Sequence, residues 1–246
     1  MTTFNIKQVE DSFKAIRNCF KGEYDVLITD PPYSRHVQDN IFTGSLVGLK
    51  TVPKYKLEFK PLEAENRNWI SGALYATKRW VLSFCEIEAC GIYSEMYPKE
   101  YVRSGVWYKP NSMGQMQKDR PATAYEGIAI LHGTRHKKKW NGNGSHGIWK
   151  CNGSRGLFDR HPNEKPIDLC LKLVALFSEK GETVFDPFCG SGAIGEACLA
   201  LGRNYVGWEQ NPKWVARATE RCANTCAYMR DKEALKLCGM NVREFE

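Results

Sequence analysis

The chain has 246 residues, 42% of them hydrophobic and 26% charged, proportions that exclude a disordered protein and provide for a substantial core. No apolar run approaches the roughly 18–20 residues that a membrane-spanning helix needs, and residues 1–13 lack the profile of a signal peptide. The 35 Lys and Arg residues exceed the 28 Asp and Glu residues, which gives a net charge of +7. We therefore expect a soluble, intracellular protein, whose length allows one large domain or two small ones.

Predicted strands and helices alternate in the first part of the chain, which favours an α/β fold with a mostly parallel sheet covered by helices. In order, the elements are a strand at 4–9, a helix at 12–20, a strand at 24–29, an irregular loop at 34–61, a helix at 62–78 and a strand at 80–85.

The second part of the chain opens with a predicted hairpin, in which residues 102–108 and 127–131 pair as antiparallel strands at the edge of the sheet. Residues 133–160 are rich in Gly, Ser and Asn, so we interpret them as an excursion from the main domain. The alternation then resumes with a helix at 166–179, a strand at 183–185, a helix at 193–201, a strand at 205–208 and a helix from 212 onward.

The excess positive charge is confined to residues 98–161, which hold 12 basic and 4 acidic residues and so carry +8, leaving −1 for the rest. A localised basic segment favours a polyanionic partner. The alternative is a solvated basic loop without a partner.

The ten cysteines are distributed without any CxxC pair, which argues against a disulfide framework and against a zinc site. His132, His136, His146 and Cys151 also match no established ligand spacing. We expect reduced cysteines and no metal.

A glycine-rich turn between a strand and a helix, at residues 186–195, has the character of a ligand-binding loop. Gly190, Gly192 and Gly195 satisfy GxGxxG, and Glu209 ends the next strand, where an acid can bind the two hydroxyls of a ribose. Asp186 places a carboxylate at the loop, where it would repel a diphosphate and suit a cationic ligand such as S-adenosylmethionine. A dinucleotide site and a tight turn with nothing bound are the competing interpretations of this loop.

The tetrad Asp30-Pro31-Pro32-Tyr33 directly follows the predicted strand at 24–29. The two prolines predict a stiff turn that presents the Asp30 carboxylate and the Pro31 carbonyl as acceptors for both hydrogens of an exocyclic amino group. Such acceptors stabilise the positive charge that develops when this nitrogen attacks a methyl group, and Tyr33 offers a face for an extruded base. The alternative is a plain turn at the end of a strand.

These two motifs, in this order, resemble those of the β-class DNA amino-methyltransferases, in which the catalytic half precedes the S-adenosylmethionine-binding half. The resemblance covers nearly the whole chain and includes His161-Pro-Asn-Glu-Lys165-Pro166, which is similar to an element that helps to hold the methionine end of the cofactor. It implies a single domain over residues 1–246 with a Rossmann-like methyltransferase fold, a circularly permuted motif order and an antiparallel edge strand.

The resemblance also implies roles for individual residues. Residues 133–160 would form a short target-recognition insertion. The tetrad Asp30, Pro31, Pro32 and Tyr33 would be catalytic. The cofactor would be bound by Asp11, Asp30, His161, Lys165, Asp186, Pro187, Phe188, Cys189, Gly190, Ser191, Gly192, Glu209 and Asn211. The DNA would be bound by Arg135, Lys137, Lys138, Lys139, Trp140, Lys150 and Arg155.

The implied activity is transfer of a methyl group from S-adenosylmethionine to adenine N6 in double-stranded DNA, with the target base flipped out of the duplex. Cytosine N4 methylation uses the same geometry, although Asp instead of Ser at position 30 leans toward adenine by the same resemblance. Two further candidates from different classes are a nicotinamide-dependent oxidoreductase and a catalytically silent nucleic-acid-binding protein. The resemblance also suggests a homodimer and a cytoplasmic location in a bacterial cell, with either a host or a phage origin.

Overall fold

The computed structural model describes residues 2–33, 68–114, 121–134, 139–153 and 164–228. Eight strands in these ranges form one sheet with the order β1-β8-β7-β2-β3-β5-β4-β6. They are β1 (Phe4–Gln8), β2 (Tyr24–Thr29), β3 (Thr77–Cys85), β4 (Tyr101–Tyr108), β5 (Tyr125–His132), β6 (Ile148–Lys150), β7 (Thr183–Asp186) and β8 (Asn204–Glu209).

Neighbouring strands are parallel throughout the sheet except where β5 pairs antiparallel with β3 on one side and with β4 on the other. The expected mostly parallel α/β fold and the antiparallel hairpin are therefore confirmed. The hairpin does not end the sheet, because the outer side of β4 pairs in parallel with β6. The antiparallel strand β5 lies between β3 and β4, inside the sheet instead of at its edge.

Helices cover both faces of the sheet, as expected for parallel strands joined by crossovers. They are α1 (Ser12–Ala15), α2 (Trp69–Ala76), α3 (Ile87–Met96), α4 (Ile167–Phe177), α5 (Ala193–Ala200) and α6 (Pro212–Tyr228). Buried side chains of α1, α2 and α3 pack on one face, and those of α4, α5 and α6 pack on the other. The core is thus two apolar layers separated by the sheet.

Two helices are shorter than the sequence pattern predicts, and a third was missed. The helix expected at 12–20 is α1 followed by a 3₁₀ turn at Ile16–Asn18. The helix expected at 62–78 ends at Ala76, because Thr77 already pairs with Tyr24 of β2. Its residues 62–67 and the expected loop at 34–61 lie outside the described residues. Helix α3 was not predicted, because half-buried and polar residues alternate along it without a clear apolar stripe.

Part of the segment 133–160 belongs to the main domain, contrary to its interpretation as an excursion. Trp149 of β6 is buried, and the Trp140 ring packs edge-on against Phe177 of α4 with ring centroids 4.8 Å apart. The Asn141 amide donates to the main-chain carbonyls of Ala175 and Ser178, so it caps the end of α4. Trp140 and Trp149 thus pack with the core, although they come from a segment predicted to lie outside it.

Eight cysteines are buried and pack as small apolar side chains, namely Cys19, Cys85, Cys90, Cys151, Cys170, Cys189, Cys198 and Cys222. Within the ranges that the structure describes, no helix is both long enough and apolar enough to cross a membrane.

Candidate active site

Four acidic side chains meet at the carboxyl edge of the sheet. Asp30 follows β2, Asp186 ends β7, Glu209 ends β8, and Asp11 follows β1 after a short turn. The strands β1, β8, β7 and β2 are consecutive and parallel, so their carboxyl ends form one continuous rim. A crevice outside the carboxyl ends of parallel strands is where open α/β sheets bind their ligands.

The loop between β7 and α5 passes close to the neighbouring elements because glycines occupy its turns. Gly192 has a φ of +82°, and a Cβ at this position would lie 2.9 Å from the Cβ of Ala218 in α6. A Cβ on Gly195 would lie 2.6 Å from the Tyr205 ring. The Gly190 amide donates to Glu209 Oε2 at 3.0 Å, so the loop is fixed to the end of β8. Any larger side chain at these glycines would push the loop away from the rim.

Asp186 is buried, with 1% of its surface exposed, and its carboxylate holds the loop together. Its Oδ1 accepts from Thr29 Oγ1 at 2.5 Å and from the Phe188 amide at 3.2 Å, and its Oδ2 accepts from Tyr205 Oη at 3.2 Å. Burial raises the pKa of Asp186 to about 7, although these hydrogen bonds oppose the shift. No cation forms an ion pair with Asp186 in the described part of the chain. Asp186 is therefore a buried acid that keeps its proton up to about pH 7 and has no cationic partner in the described residues.

Replacing Asp186 with asparagine should remove a pH dependence of stability. The folded wild type keeps a proton on Asp186 up to about pH 7, whereas the unfolded chain loses it near pH 4, so this group contributes stability at low pH that is lost between these values. We expect the wild type to lose up to about 1.4 kcal/mol per pH unit relative to Asp186→Asn across this window. Urea unfolding at pH 5, 6, 7 and 8 measures the difference, with the exposed Asp168→Asn as the control. Parallel profiles for wild type and Asp186→Asn would contradict the assignment.

Asp30 has one oxygen paired and one oxygen available. Its Oδ2 accepts from Lys165 Nζ at 2.5 Å, and Lys165 is itself buried, with 7% of its side chain exposed. Its Oδ1 is buried and has no hydrogen-bond partner among the described residues. Burial raises the pKa of Asp30, and the positive charge of Lys165 opposes that shift. A buried acceptor without a partner is rare in folded proteins and marks a place for a donor from outside the chain.

Glu126, which was not predicted from the sequence, joins this site from the start of β5. Its Oε2 accepts from Tyr33 Oη at 2.7 Å and lies 3.4 Å from Lys165 Nζ, and its Oε1 pairs with Lys109 at the end of β4. Burial opposes ionisation, but Lys165 and Lys109 outweigh it and lower the pKa of Glu126 to about 2. The sequence does predict the hairpin beside Lys109 and Glu126. The position of this hairpin next to the rim is the signal that could have identified Glu126.

Other predicted cofactor residues bind main-chain groups of the loops at this rim. Glu209 Oε1 accepts from the amides of Gln210 and Asn211, both at 2.9 Å. Asp11 accepts from the Lys14 amide at 3.2 Å and so caps α1. Ser191 Oγ donates to Glu164 Oε2 at 2.7 Å. These contacts order the rim, and the binding roles of the residues stay predictions.

The remaining loop residues are packed against the protein. Pro187 and Cys189 are buried, and the Phe188 ring lies between two aromatic neighbours. Its centroid is 4.8 Å from that of Phe13 and 5.4 Å from that of Trp69. The loop is thereby supported by α1 and α2.

The residues predicted to bind DNA do not share one surface. Lys139 lies at the opposite edge of the sheet from Asp30, where its carbonyl accepts from Arg79 and Trp80 at the start of β3 and its ammonium pairs with Glu179. The two edges are about 20 Å apart, given the six residues of β2, which runs between them, and a rise of about 3.3 Å per residue. Lys139 is therefore badly placed to contact DNA at the site.

Of the other predicted DNA contacts, Trp140 is half-buried and packs against the core at Phe177. Lys150 is exposed at the carboxyl end of β6, on the same side of the sheet as Asp30. Five predicted site residues lie outside the described residues, namely Arg135, Lys137, Lys138, Arg155 and His161. Across the described ranges, no group of three or more His, Cys, Asp or Glu side chains is arranged to hold a metal ion.

Known proteins with similar sequences are type II methyltransferases. The chain is 34% identical over 135 residues to the type II methyltransferase M.XycI of Xanthomonas campestris pv. cyanopsidis, which is 49% of this chain and 44% of that protein. It is 36% identical over 105 residues to the type II methyltransferase M.BglI of Bacillus subtilis, which is 43% of this chain and 30% of that protein. The chain thus matches less than half the length of these relatives.

Solved structures share the fold. The structure of M1.HpyAVI in complex with SAM superposes with a TM-score of 0.64 at 21% identity, covering 89% of this chain and 98% of that one. PvuII DNA methyltransferase, described as cytosine-N4-specific, superposes with a TM-score of 0.66 at 14% identity, covering 96% of this chain and 92% of that one. These likenesses confirm the Rossmann-like methyltransferase fold. Residues 24–220 also match the N6_N4_Mtase family, described as DNA methylase, and the chain therefore belongs to that family.

Proposed function

We propose that this protein transfers the methyl group of S-adenosylmethionine to the exocyclic N6 of adenine in double-stranded DNA. The observation that carries the proposal is the buried Asp30 Oδ1, which has no partner in the described residues and lies at the end of β2 on the same rim as the glycine loop. A ligand with an N–H group that enters this rim would find an acceptor already desolvated and fixed by Lys165 through the other oxygen.

The residues at the rim fit S-adenosylmethionine. Its ammonium and sulfonium groups carry positive charge, and Asp186 is a buried carboxyl group without a cation beside it in the described residues. The glycines at 190 and 192 allow close approach of a ligand to the loop, and Glu209 offers carboxylate oxygens for a ribose. When bound, the cofactor supplies an electrophilic methyl group.

The tetrad would bind and orient the target amine. Asp30 Oδ1 and the Pro31 carbonyl would each accept one N–H, and both hydrogen bonds would strengthen as positive charge develops on the nitrogen. The Tyr33 ring would stack on the extruded base, and its hydroxyl is held by Glu126. Lys165, 5.5 Å from the centre of the Tyr33 ring, opposes the rise in the pKa of Asp30 that burial causes.

Product analysis tests the proposal directly. Wild type and Asp30→Ala are expressed in a host without DNA methylation, and modified nucleosides in digested DNA are measured by mass spectrometry, with Asp168→Asn as a control for a remote aspartate. We expect N6-methyladenine with the wild type and the control but not with Asp30→Ala. No modified base with the wild type would contradict a DNA methyltransferase.

Cytosine N4 methylation is the second candidate, because PvuII DNA methyltransferase, described as cytosine-N4-specific, has the same fold. The same geometry serves either amine, since both bases present an exocyclic NH₂ group next to a ring. N4-methylcytosine in the digest would select this candidate and overturn the adenine assignment.

The position of Lys150 predicts a contact with the DNA backbone. Because Lys150 is exposed at the carboxyl end of β6 and Lys139 is paired with Glu179 at the opposite edge, only the first should neutralise a phosphate near the target base. We expect Lys150→Ala to weaken binding to all sequences and to reduce the slope of log affinity against log salt by about 1. Fluorescence anisotropy at several salt concentrations measures this slope. An equal effect of Lys139→Ala would contradict the assignment of DNA to the carboxyl edge.

Two further parts of the proposal come from the family resemblance. A homodimer would suit a palindromic recognition site, and light scattering in the presence of a duplex tests it. A cytoplasmic location in a bacterial cell stays a prediction.

A further inference from the structure

Glu126 occupies the centre of a cluster of four charged side chains beside the tetrad. Two are acids, Asp30 and Glu126, and two are lysines, Lys109 and Lys165, so the formal charge of the cluster is zero. Lys165 is shared between the acids, at 2.5 Å from Asp30 and 3.4 Å from Glu126. An ammonium group has three hydrogens. How many of them point to Glu126 decides whether Lys165 hydrogen-bonds to one or to both oxygens of Asp30.

Because the Lys165 ammonium is shared between the two acids, Asp30 Oδ1 stays available as an acceptor. With Glu126 drawing part of the ammonium to one side, Lys165 contacts only Oδ2 of Asp30. Without the negative charge of Glu126, the Lys165 ammonium would lose its second carboxylate partner, and the two Asp30 oxygens would compete for it. The acceptor that the proposed function requires would then be filled by the enzyme itself.

The second contact of Glu126 fixes the tetrad tyrosine. Tyr33 is the last tetrad residue, and its hydroxyl donates to Glu126 Oε2 at 2.7 Å across 93 residues of sequence. An aromatic ring that must stack on a base needs a defined orientation, and a hydrogen bond to a buried carboxylate supplies it. Lys109 pairs with the other oxygen of Glu126 and so fixes the carboxylate itself.

We propose that Glu126 is a positioning residue for methyl transfer, which orients Tyr33 and withholds Lys165 from Oδ1 of Asp30. The inference rests on the proposed function and deepens it, because it names the group that prepares the acceptor for the target amine. Glu126 touches neither the target base nor the cofactor in this arrangement and acts through Tyr33 and Lys165.

A double-mutant cycle between Glu126 and Tyr33 tests the inference. Glu126→Gln, Tyr33→Phe and the double variant are assayed with a duplex substrate for kcat and for the KM of each substrate. We expect Glu126→Gln to lower kcat by about ten- to a hundred-fold, with the KM for S-adenosylmethionine changed by less than about three-fold. Tyr33→Phe should have a smaller effect in the Glu126→Gln background than in the wild type, because a neutral amide holds the Tyr33 hydroxyl less strongly than the carboxylate does.

Glu182→Gln is the matched control. Glu182 is also an ion-paired glutamate with 18% of its side chain exposed, as for Glu126, but it pairs with Arg79 at the opposite edge of the sheet. A similar loss of kcat in both glutamine variants, or losses that multiply in the double variant, would overturn the inference. If Glu126→Gln does not fold, Tyr33→Phe tests the same contact with all four charges kept, and an unchanged kcat overturns it.

The wild-type product separates this inference from the proposed function. A wild type that methylates no base overturns both. An active wild type with a kcat that Glu126→Gln leaves within about three-fold overturns the positioning role alone.

Discussion

Replacing Asp30 with asparagine should lower kcat by about 100- to 1,000-fold, although the two side chains have the same shape. Lys165 donates to one oxygen of residue 30 at 2.5 Å, so the amide of asparagine would turn its carbonyl oxygen toward the ammonium. The NH₂ group would then occupy the position of Oδ1, where the target amine must find an acceptor. Two donors would face each other, and the lost interaction is one that strengthens as charge develops on the nitrogen.

The kinetic pattern distinguishes this effect from general damage to the site. Because the interaction is made chiefly during the chemical step, kcat should fall while the KM for DNA changes by no more than about five-fold. Thermal melting should remain within a few degrees of the wild type, since Lys165 keeps Glu126 as its charged partner. Single-turnover methylation of a short duplex measures the chemical step. An Asp30→Asn variant with at least a tenth of wild-type activity would show that Oδ1 is not the acceptor.

The position of the main motifs could be predicted because each directly follows a buried strand. The tetrad after β2 and the loop after β7 are continuous in sequence with the strands that position them, and parallel neighbours place their ends together. The same local logic placed Glu209 at the end of β8. Where a motif directly follows the strand that supports it, the position of the motif in the fold can be predicted from the sequence.

The partners of charged residues could not be predicted, because they come from distant parts of the chain. Lys139 looks like a member of an exposed basic run, yet it pairs with Glu179, 40 residues away. Lys165 looks like part of a cofactor motif, yet it contacts Asp30, 135 residues away. Counting charges along a segment does not distinguish a lysine that faces solvent from one whose charge is already neutralised.

The tryptophans and Glu126 show the same limit for the core and the site. Trp140 and Trp149 lie in a turn-rich segment whose composition predicts a surface loop, but their rings complete an aromatic cluster around Phe177. Glu126 has no distinguishing neighbours in sequence, and only the antiparallel pairing of β5 with β3, which itself pairs with β2, brings it to Tyr33. These roles depend on contacts between segments that are distant in sequence, and such contacts cannot be predicted from a single sequence.

Replacing Lys165 with methionine should reduce the free energy of unfolding by about 3 kcal/mol at pH 8, one of the largest effects expected of any substitution in this chain. Methionine fills a similar volume but leaves Asp30 and Glu126 close together, with Lys109 as the only lysine still paired with either of them in the described residues. The penalty comes from two partly buried carboxylates that repel each other after the ammonium between them is lost.

The pH dependence of this loss has a defined sign. In the wild type the lysines lower the pKa of Glu126 from about 4.5 to about 2, so its ion pairs contribute fully to stability above about pH 4.5, and this contribution is lost as the pH falls toward 2. In Lys165→Met one carboxyl group should take up a proton instead, because its pKa in the folded state rises above that in the unfolded chain. Protonation relieves the repulsion, so the difference between wild type and variant should shrink as the pH is lowered from 8 toward 4.5.

Lys78→Met is the control that shows how much of the loss of stability depends on burial of the lysine. Lys78 pairs with Asp25 at 2.7 Å, but 23% of its side chain is exposed, against 7% for Lys165. A partly exposed ion pair contributes about 1 kcal/mol or less, so this variant should be nearly as stable as the wild type and show little change with pH. Guanidinium unfolding at pH 4.5, 6 and 8 measures both variants. A Lys165→Met deficit that is no larger than that of Lys78→Met, or that grows as the pH falls, would mean that the two carboxylates do not depend on Lys165 for their charge.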